Sequence, residues 1–255
     1  MAGSNVVSLS GGKDSTAMLL MLLERGEDVA DIVFYDTGWE FPQMYEHLVR
    51  LEEFTGRKIT RLNARIPNGT ASDKKGLDWL FADAPVIKRG TSIVHRVGYG
   101  WPFPSGRWCA GRKQAALRAH FQAMTYRQDI QLPVWQCIGF AADEVKRRNN
   151  LKVGSRWYNH RFPLIEWEIT EKDALAYCRK LGFDWNGLYE QFHRLSCFCC
   201  PLQSLDELRA LRRNFPSLWK RMLLMESWLP EGIQRRFNTS TVSGLDARFA
   251  AEEAI

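Results

Sequence analysis

Ser10-Gly11-Gly12-Lys13-Asp14-Ser15 is the stretch on which the fold of this chain turns. It follows the apolar run Asn5-Val6-Val7-Ser8-Leu9 and opens onto Thr16-Ala17-Met18-Leu19-Leu20-Met21-Leu22-Leu23. That order reads as a buried strand, a glycine turn and the start of a helix. The glycines let the backbone bend tightly and come close to a ligand. The unpaired N–H groups of the helix start, with its dipole, favour an anion at the turn. Lys13 adds a positive charge, and Ser10 and Ser15 add hydroxyl donors, so the stretch predicts a cradle for a phosphate chain. Its spacing is neither G-x-x-x-x-G-K-[ST] nor G-x-G-x-x-G, the two familiar nucleotide loops.

Working outward, residues 31–35 read as a second buried strand and 58–62 as a third. Between them lies a helix from about Pro42, a residue suited to the first helical position, to Phe54, stopped by Gly56. Strands alternating with helices of this length predict an α/β fold with a parallel sheet. Residues 65–107 break the rhythm with glycines, prolines and the aromatics Trp79, Phe81, Tyr99, Trp101 and Phe103. A stretch so long is read as a substrate-facing insertion. Its aromatics either stack on bases or pack a small local core. A helix over 112–127 and a strand over 134–140 follow. Thr170 with Asp173, Ser204 with Glu207, and Pro216 mark later helix starts. The expected organisation is a sheet domain over 1–165, a helical cysteine-bearing part over 166–235 and a polar tail over 236–255.

At 255 residues the chain is long enough for a full core, and its net charge of +6 is compatible with a polyanionic partner. Basic clusters at Lys146-Arg147-Arg148, over 209–213 and at Lys220-Arg221 are the first places to look for nucleic-acid contact. No apolar run reaches the ~18 residues of a membrane span, and the N-terminus lacks a signal-peptide plan, so a cytoplasmic location is expected.

In open parallel sheets, ligands sit beyond the carboxyl ends of the strands. Three segments lie there: the glycine turn, Asp36-Thr37-Gly38-Trp39-Glu40-Phe41-Pro42, and Gly139-Phe140-Ala141-Ala142-Asp143-Glu144 with Arg147 and Arg148 beyond. A triphosphate needs neutralising by Lys13, by Arg147 or Arg148, and by Mg²⁺, which takes one or two carboxylates. Asp14 is the first candidate for the metal, with Asp143 and Glu144 behind it. The cysteines form the second signal. Cys197 and Cys200 make a C-x-x-C pair before Pro201, with Cys199 between them and Cys109 distant. Such spacing serves a metal or Fe–S centre, a redox dithiol being the alternative. Cys109, Cys197 and Cys200 make three ligands, and Cys199, His193 or no protein group is left for the fourth. Three thiolates suit a [4Fe–4S] cluster; a fourth protein ligand makes structural zinc competitive. Cys137 and Cys178 read as small core residues.

The glycine turn resembles the PP-loop of the ATP pyrophosphatases. With Asp36-Thr37-Gly38, Phe41-Pro42, Gly139, Ala142-Asp143-Glu144, Arg147, Pro163-Leu164-Ile165-Glu166-Trp167 and the run from Leu188 to Pro201, the chain resembles the phosphoadenosine phosphosulfate reductase family. The resemblance implies an adenine-nucleotide α-hydrolase-like fold with a nucleotide across the strand ends. No Glu-Cys-Gly-x-His segment of the thioredoxin-dependent reductases follows Pro201, and Ala141 stands where the family has an arginine. The lysine-containing loop and the cysteine layout look more like the branch that includes the ATP-pyrophosphatase subunit of DNA phosphorothioation systems. That implies ATP-dependent adenylation for sulfur transfer to nucleic acid, DNA before tRNA. Ser10, Gly11, Gly12, Lys13, Asp14 and Ser15 would bind pyrophosphate and Mg²⁺. Asp36 and Thr37 would lie near adenosine or the α-phosphate, and a cysteine desulfurase would supply sulfur. A sulfonucleotide reductase or sulfotransferase, and a nucleotide-sensing module with structural zinc, are the alternatives.

Overall fold

The computed structural model describes residues 3–64, 66, 70, 72–127, 130, 132–149, 156–195, 197–230, 233 and 236–254. In chain order the elements are β1 (Ser4–Leu9), α1 (Lys13–Glu24), β2 (Val29–Tyr35), α2 (Pro42–Thr55), β3 (Thr60–Leu62), α3 (Gly76–Ala82), β4 (Pro85–Ile87) and β5 (Val94–Val97). There follow α4 (Trp108–Arg127), β6 (Val134–Ile138), α5 (Val145–Asn149), β7 (Asn159–Arg161), α6 (Pro163–Glu166), α7 (Glu171–Lys180), α8 (Leu188–Gln191), α9 (Leu205–Asn214), α10 (Pro216–Ser227) and α11 (Val242–Glu253). The chain divides into two compact units. One holds residues 1–36, 41–62 and 114–195, the other 37–40, 63–113 and 196–255.

The first unit is built on a five-stranded sheet in the order β3-β2-β1-β6-β7, with every pair parallel. The order starts at β1 and runs outward both ways, so β1 and β6 flank the switch point where such sheets bind ligands. Val6, Val7 and Leu9 are fully buried, as expected of a strand covered on both faces. Phe121 and Met124 of α4 cover one face with Val6, Val33 and Val134. Helix α2 starts at Pro42 and ends on Gly56 in the left-handed region, φ 64°, as those two residues dictate. Helix α7 packs on α1 through the buried Ala174 and Cys178. For that reason the sheet unit runs on to residue 195, past the boundary near 165 suggested by the sequence.

The second unit carries the β4–β5 antiparallel pair and the last three helices. Trp101 packs edge-on against Phe81 at 4.7 Å and Phe237 at 4.9 Å, and Phe81 meets Trp39 at 5.9 Å. The insertion's aromatics therefore divide: Trp79, Phe81 and Trp101 are core, while Phe103 is exposed. The segment expected to be a polar tail folds instead as α11. Val242, Leu245 and Phe249 fall on one helical face and are buried. The Thr241 hydroxyl caps its N-terminus by accepting from the Gly244 N–H, and the buried Glu226 carboxylate takes the N–H groups of Val242 and Ser243. Among the described residues no helix is long and apolar enough to cross a membrane.

Candidate nucleotide and thiol sites

The glycine turn closes the carboxyl end of β1, and α1 begins at Lys13 with Gly12 as its cap. Gly12 has no side chain with which to satisfy the first-turn N–H groups, and of these the Lys13 N–H finds its acceptor in Tyr189. Gly11 sits at φ +80°, and a Cβ there would stand 2.3 Å from Met44 Sδ. At this position only glycine fits. Trp185 Nε1–H holds the Gly11 carbonyl at 2.7 Å, and the Lys13 N–H donates to Tyr189 Oη at 2.7 Å. Ser10 Oγ and Ser15 Oγ are 2.9 Å apart, and Ser15 Oγ also donates to the Gly12 carbonyl. Behind the turn, Thr16 Oγ1 meets the buried His47 Nε2 at 3.0 Å. Burial, and then Arg50, pull His47 down to about 4, so it is neutral at physiological pH.

Lys13 is buried, and its ammonium lies between Asp14 Oδ2 at 3.1 Å and Glu171 Oε2 at 2.6 Å. Burial works against its charge, but the hydrogen bond to Glu171 and the Asp14 charge together hold its pKa above the ordinary value. Asp14 is pushed up to about 6, by burial first and with Lys13 pulling the other way. Its Oδ1 is buried without a partner among the described residues. An unpaired carboxylate oxygen one residue from the lysine is what a phosphate-bound Mg²⁺ needs, so the donor set fits that ion.

Beyond β6, Gly139 packs against the start of α1. A Cβ there would meet Ser15 Cα and N at 2.9 Å, so the glycine lets β6 lie against the start of α1. Asp143 Oδ1 accepts from the Glu171 N–H at 3.1 Å, and Glu144 reaches back to the Ala141 N–H at 3.3 Å. Both carboxylates thus shape the rim, and Glu144 adds negative charge at Asp14. Asp36, just past β2, accepts from Tyr45 Oη at 2.8 Å. The Arg147 side chain lies outside the described residues, and Arg148 bonds the neighbouring Asn149. Glu171 and Tyr189 were not singled out from the sequence as ligands of the loop. Glu171 is marked there only as the residue after a capping threonine, and Tyr189 only within the family-like run.

Cys109, Cys197, Cys199 and Cys200 belong to the second unit. Cys197 to Cys200 form a turn closed by the Cys200 N–H on the Cys197 carbonyl at 3.0 Å. The turn is anchored by the fully buried Phe198, whose N–H donates to the Trp39 carbonyl at 2.8 Å. Thr37 belongs here: its hydroxyl donates to Glu40 Oε1 at 2.7 Å and lies 3.5 Å from Cys197 Sγ. Burial, then Glu40, hold Cys197 well above the ordinary thiol range, and Cys200 and Cys109 add to this. Burial also raises Cys109, with Cys200 contributing. Cys109 and Cys197, both raised thiols with Cys200 beside them, are a donor set that a bound metal ion would bring to thiolates. As they stand, no three His, Cys, Asp or Glu among the described residues form a metal-holding group. Cys199 is turned inward, 1% exposed. Cys137 and Cys178 are core thiols, each pushed by burial up to about 12.

Two of the basic clusters nominated by the sequence are engaged internally. Arg209 pairs with Asp206 and Glu252, Arg212 with Asp246 and Glu253, and Arg221 with Asp78.

Residues 4–203 match the model of the phosphoadenosine phosphosulfate reductase domain. An uncharacterised protein of Methanocaldococcus jannaschii is 26% identical over 90% of this chain, which spans only 45% of that protein. An uncharacterised 37.8 kDa protein of Escherichia phage 186 is 27% identical, covering 83% of this chain and 71% of its own. An adenosine 5'-phosphosulfate reductase of Anoxybacillus flavithermus is 25% identical over 76% of this chain and 73% of its own.

Proposed function

The chain belongs to the phosphoadenosine phosphosulfate reductase family, and on that premise we propose that it is an ATP pyrophosphatase that adenylates an acceptor for sulfur transfer. Nucleotide-dependent, sulfur-related chemistry is the common ground of the family. One observation supports the finer reading: a buried lysine and an unpaired carboxylate oxygen meet at a glycine-capped helix start on the sheet's switch point. A triphosphate with its metal would use every one of these groups.

In this reading an acceptor oxygen attacks the α-phosphorus of ATP. The α–β bridging bond breaks, pyrophosphate leaves, and the acceptor carries AMP. A sulfur nucleophile, supplied from outside the chain by a cysteine desulfurase, then displaces AMP. The Lys13 ammonium and the Asp14 and Ser15 N–H groups of α1 hold the leaving pyrophosphate, and Asp14 Oδ1 would take Mg²⁺, which would supply charge to that leaving group. Asp36 orients the nucleotide from the neighbouring strand end. Cys109, Cys197 and Cys200 would hold a [4Fe–4S] cluster (or zinc, were Cys199 recruited as a fourth ligand), which when bound supplies sulfur-handling or structural support. The acceptor is a nucleic acid, with the DNA backbone phosphate first and tRNA second.

A second reading is reduction of a sulfonucleotide, favoured by the relative named as an adenosine 5'-phosphosulfate reductase. One assay separates them. Pyrophosphate release from ATP with an acceptor present is expected of the first; sulfite release from adenylyl sulfate, with ATP inert, would replace it by the second.

A further inference from the structure

From Ala84 to Lys113 the sequence carries Lys88, Arg89, Arg96, Arg107, Arg112 and Lys113 and not one Asp or Glu. None of the clusters nominated from the sequence lies in this stretch. Its first part is the β4–β5 pair, a two-stranded ribbon whose residues 87–95 are all exposed. The tip is ordered by the Lys88 N–H on the Ile93 carbonyl at 3.0 Å and the Thr91 N–H on the Lys88 carbonyl at 3.1 Å. The base is fixed on α3, where Tyr99 N–H donates to the Leu80 carbonyl and Gly100 N–H to the Phe81 carbonyl, both at 3.0 Å. No carboxylate pairs with Lys88, Arg89, Arg96 or Arg107 among the described residues, in contrast to Arg209, Arg212 and Arg221. Ile87, Ile93 and Val94 are also exposed on the ribbon.

The geometry points to the β4–β5 ribbon as the docking element for a B-form DNA duplex, seated in the major groove with Lys88 and Arg89 on the flanking phosphates. This rests on the reading of the acceptor as nucleic acid and names the surface that receives it. A major groove admits a two-stranded ribbon and is about 8.5 Å deep. A three-residue strand pair rises about 10 Å, enough to reach its floor. The deep, narrow groove of an RNA helix does not admit such a ribbon. A stretch this long that carries cations and no acid suits a polyanion. The exposed β-branched side chains supply apolar contact of the kind that thymine methyls take. Cys109, between Arg107 and Arg112, lies in the same acid-free stretch, so the docked strand and the thiol set share one unit of the protein.

The test is fluorescence polarisation of a labelled duplex titrated with the full chain, without ATP, across a range of salt. The Lys88→Glu/Arg89→Glu variant is expected to bind roughly tenfold or more weakly at about 0.1 M salt and to lower the salt slope by about 2. Its acceptor-independent nucleotide binding should be unchanged. Lys146→Glu/Arg148→Glu, on the other unit, should leave duplex binding near wild type. Equal duplex binding by the ribbon variant, tighter binding of an RNA hairpin or single strand by wild type, or ribbon engagement by a protein that DNA does not displace would each overturn the assignment. Pyrophosphate release without duplex binding would defeat the docking alone. Duplex binding through the ribbon without any pyrophosphate release would leave the docking standing and defeat the nucleotide reading.

Discussion

Lys13 Nζ donates to Glu171 Oε2 at 2.6 Å, joining residues 158 apart in sequence. The loop's one cation is therefore already held by the N-terminus of α7, and a nucleotide must compete with that carboxylate.

Opposite effects are expected from the two ends of this pair. Lys13→Ala removes a charge-assisted contact worth about 1.5–3 kcal/mol, weakening MgATP binding by roughly tenfold or more. Glu171→Gln removes a competitor that is partly open to solvent, so binding should tighten by roughly two- to fivefold. Calorimetric titration reads both. Equal weakening by the two variants would make Glu171 a support for Lys13 and not its competitor.

Asp14 and His47 oppose each other in acid. Asp14 has its pKa raised to about 6 in the fold, so its contribution is present below its unfolded value and lost as pH rises through 6. His47 is lowered to about 4, so its contribution is present above its unfolded value and lost as pH falls through 4. Over the window from about pH 4 to 6 each is worth about 3 kcal/mol, with opposite sign. Relative to wild type, Asp14→Asn should gain about 3 kcal/mol of stability from pH 4 to 6, measured by denaturant unfolding. A difference that stays flat would mean that Asp14 is not held up by burial. MgATP affinity should fall below pH 6, because the metal takes the ionised carboxylate.

If the thiol set binds a cluster, Cys109→Ala and Cys197→Ala should each cost most of the iron of anaerobically purified protein, while Cys178→Ala keeps it. Elemental analysis decides. Full iron in either of the first two would remove that cysteine from the ligand set, and zinc in place of iron would assign the centre a structural role.

The last helix carries stability. Phe249→Ala removes a buried ring from the contact with Trp219, centroids 5.9 Å apart, and should cost about 3–5 kcal/mol. Thermal unfolding reads this as a fall of several degrees in the midpoint, and an unchanged midpoint would contradict the packing of α11.

What was legible in the sequence was local. The strand, turn and helix around Ser10 to Ser15 followed from apolar runs and two glycines. Pro42, Gly56 and the caps at Thr170 and Ser204 marked their helices because each acts within a turn of itself. Contacts made across the fold were not legible. Nothing near Lys13 announces Glu171 or Tyr189, and nothing near Gly139 says that it packs on Ser15. The basic run over 209–213 looked free because Asp246, Glu252 and Glu253 lie on a helix whose apolar face, Val242, Leu245 and Phe249, is spaced too thinly among polar residues to stand out. The acid-free ribbon escaped notice because its cations are spread over a long stretch and not clustered.

Amide hydrogen exchange over residues 10–16, with and without MgATP, tests most directly whether the glycine turn grips the phosphates. Exchange at Gly12, Asp14 and Ser15 should slow markedly in wild type when nucleotide is added, and Lys13→Ala should need roughly tenfold or more nucleotide for the same protection. Protection elsewhere in the chain, with the turn exchanging as before at saturating MgATP, would contradict the site.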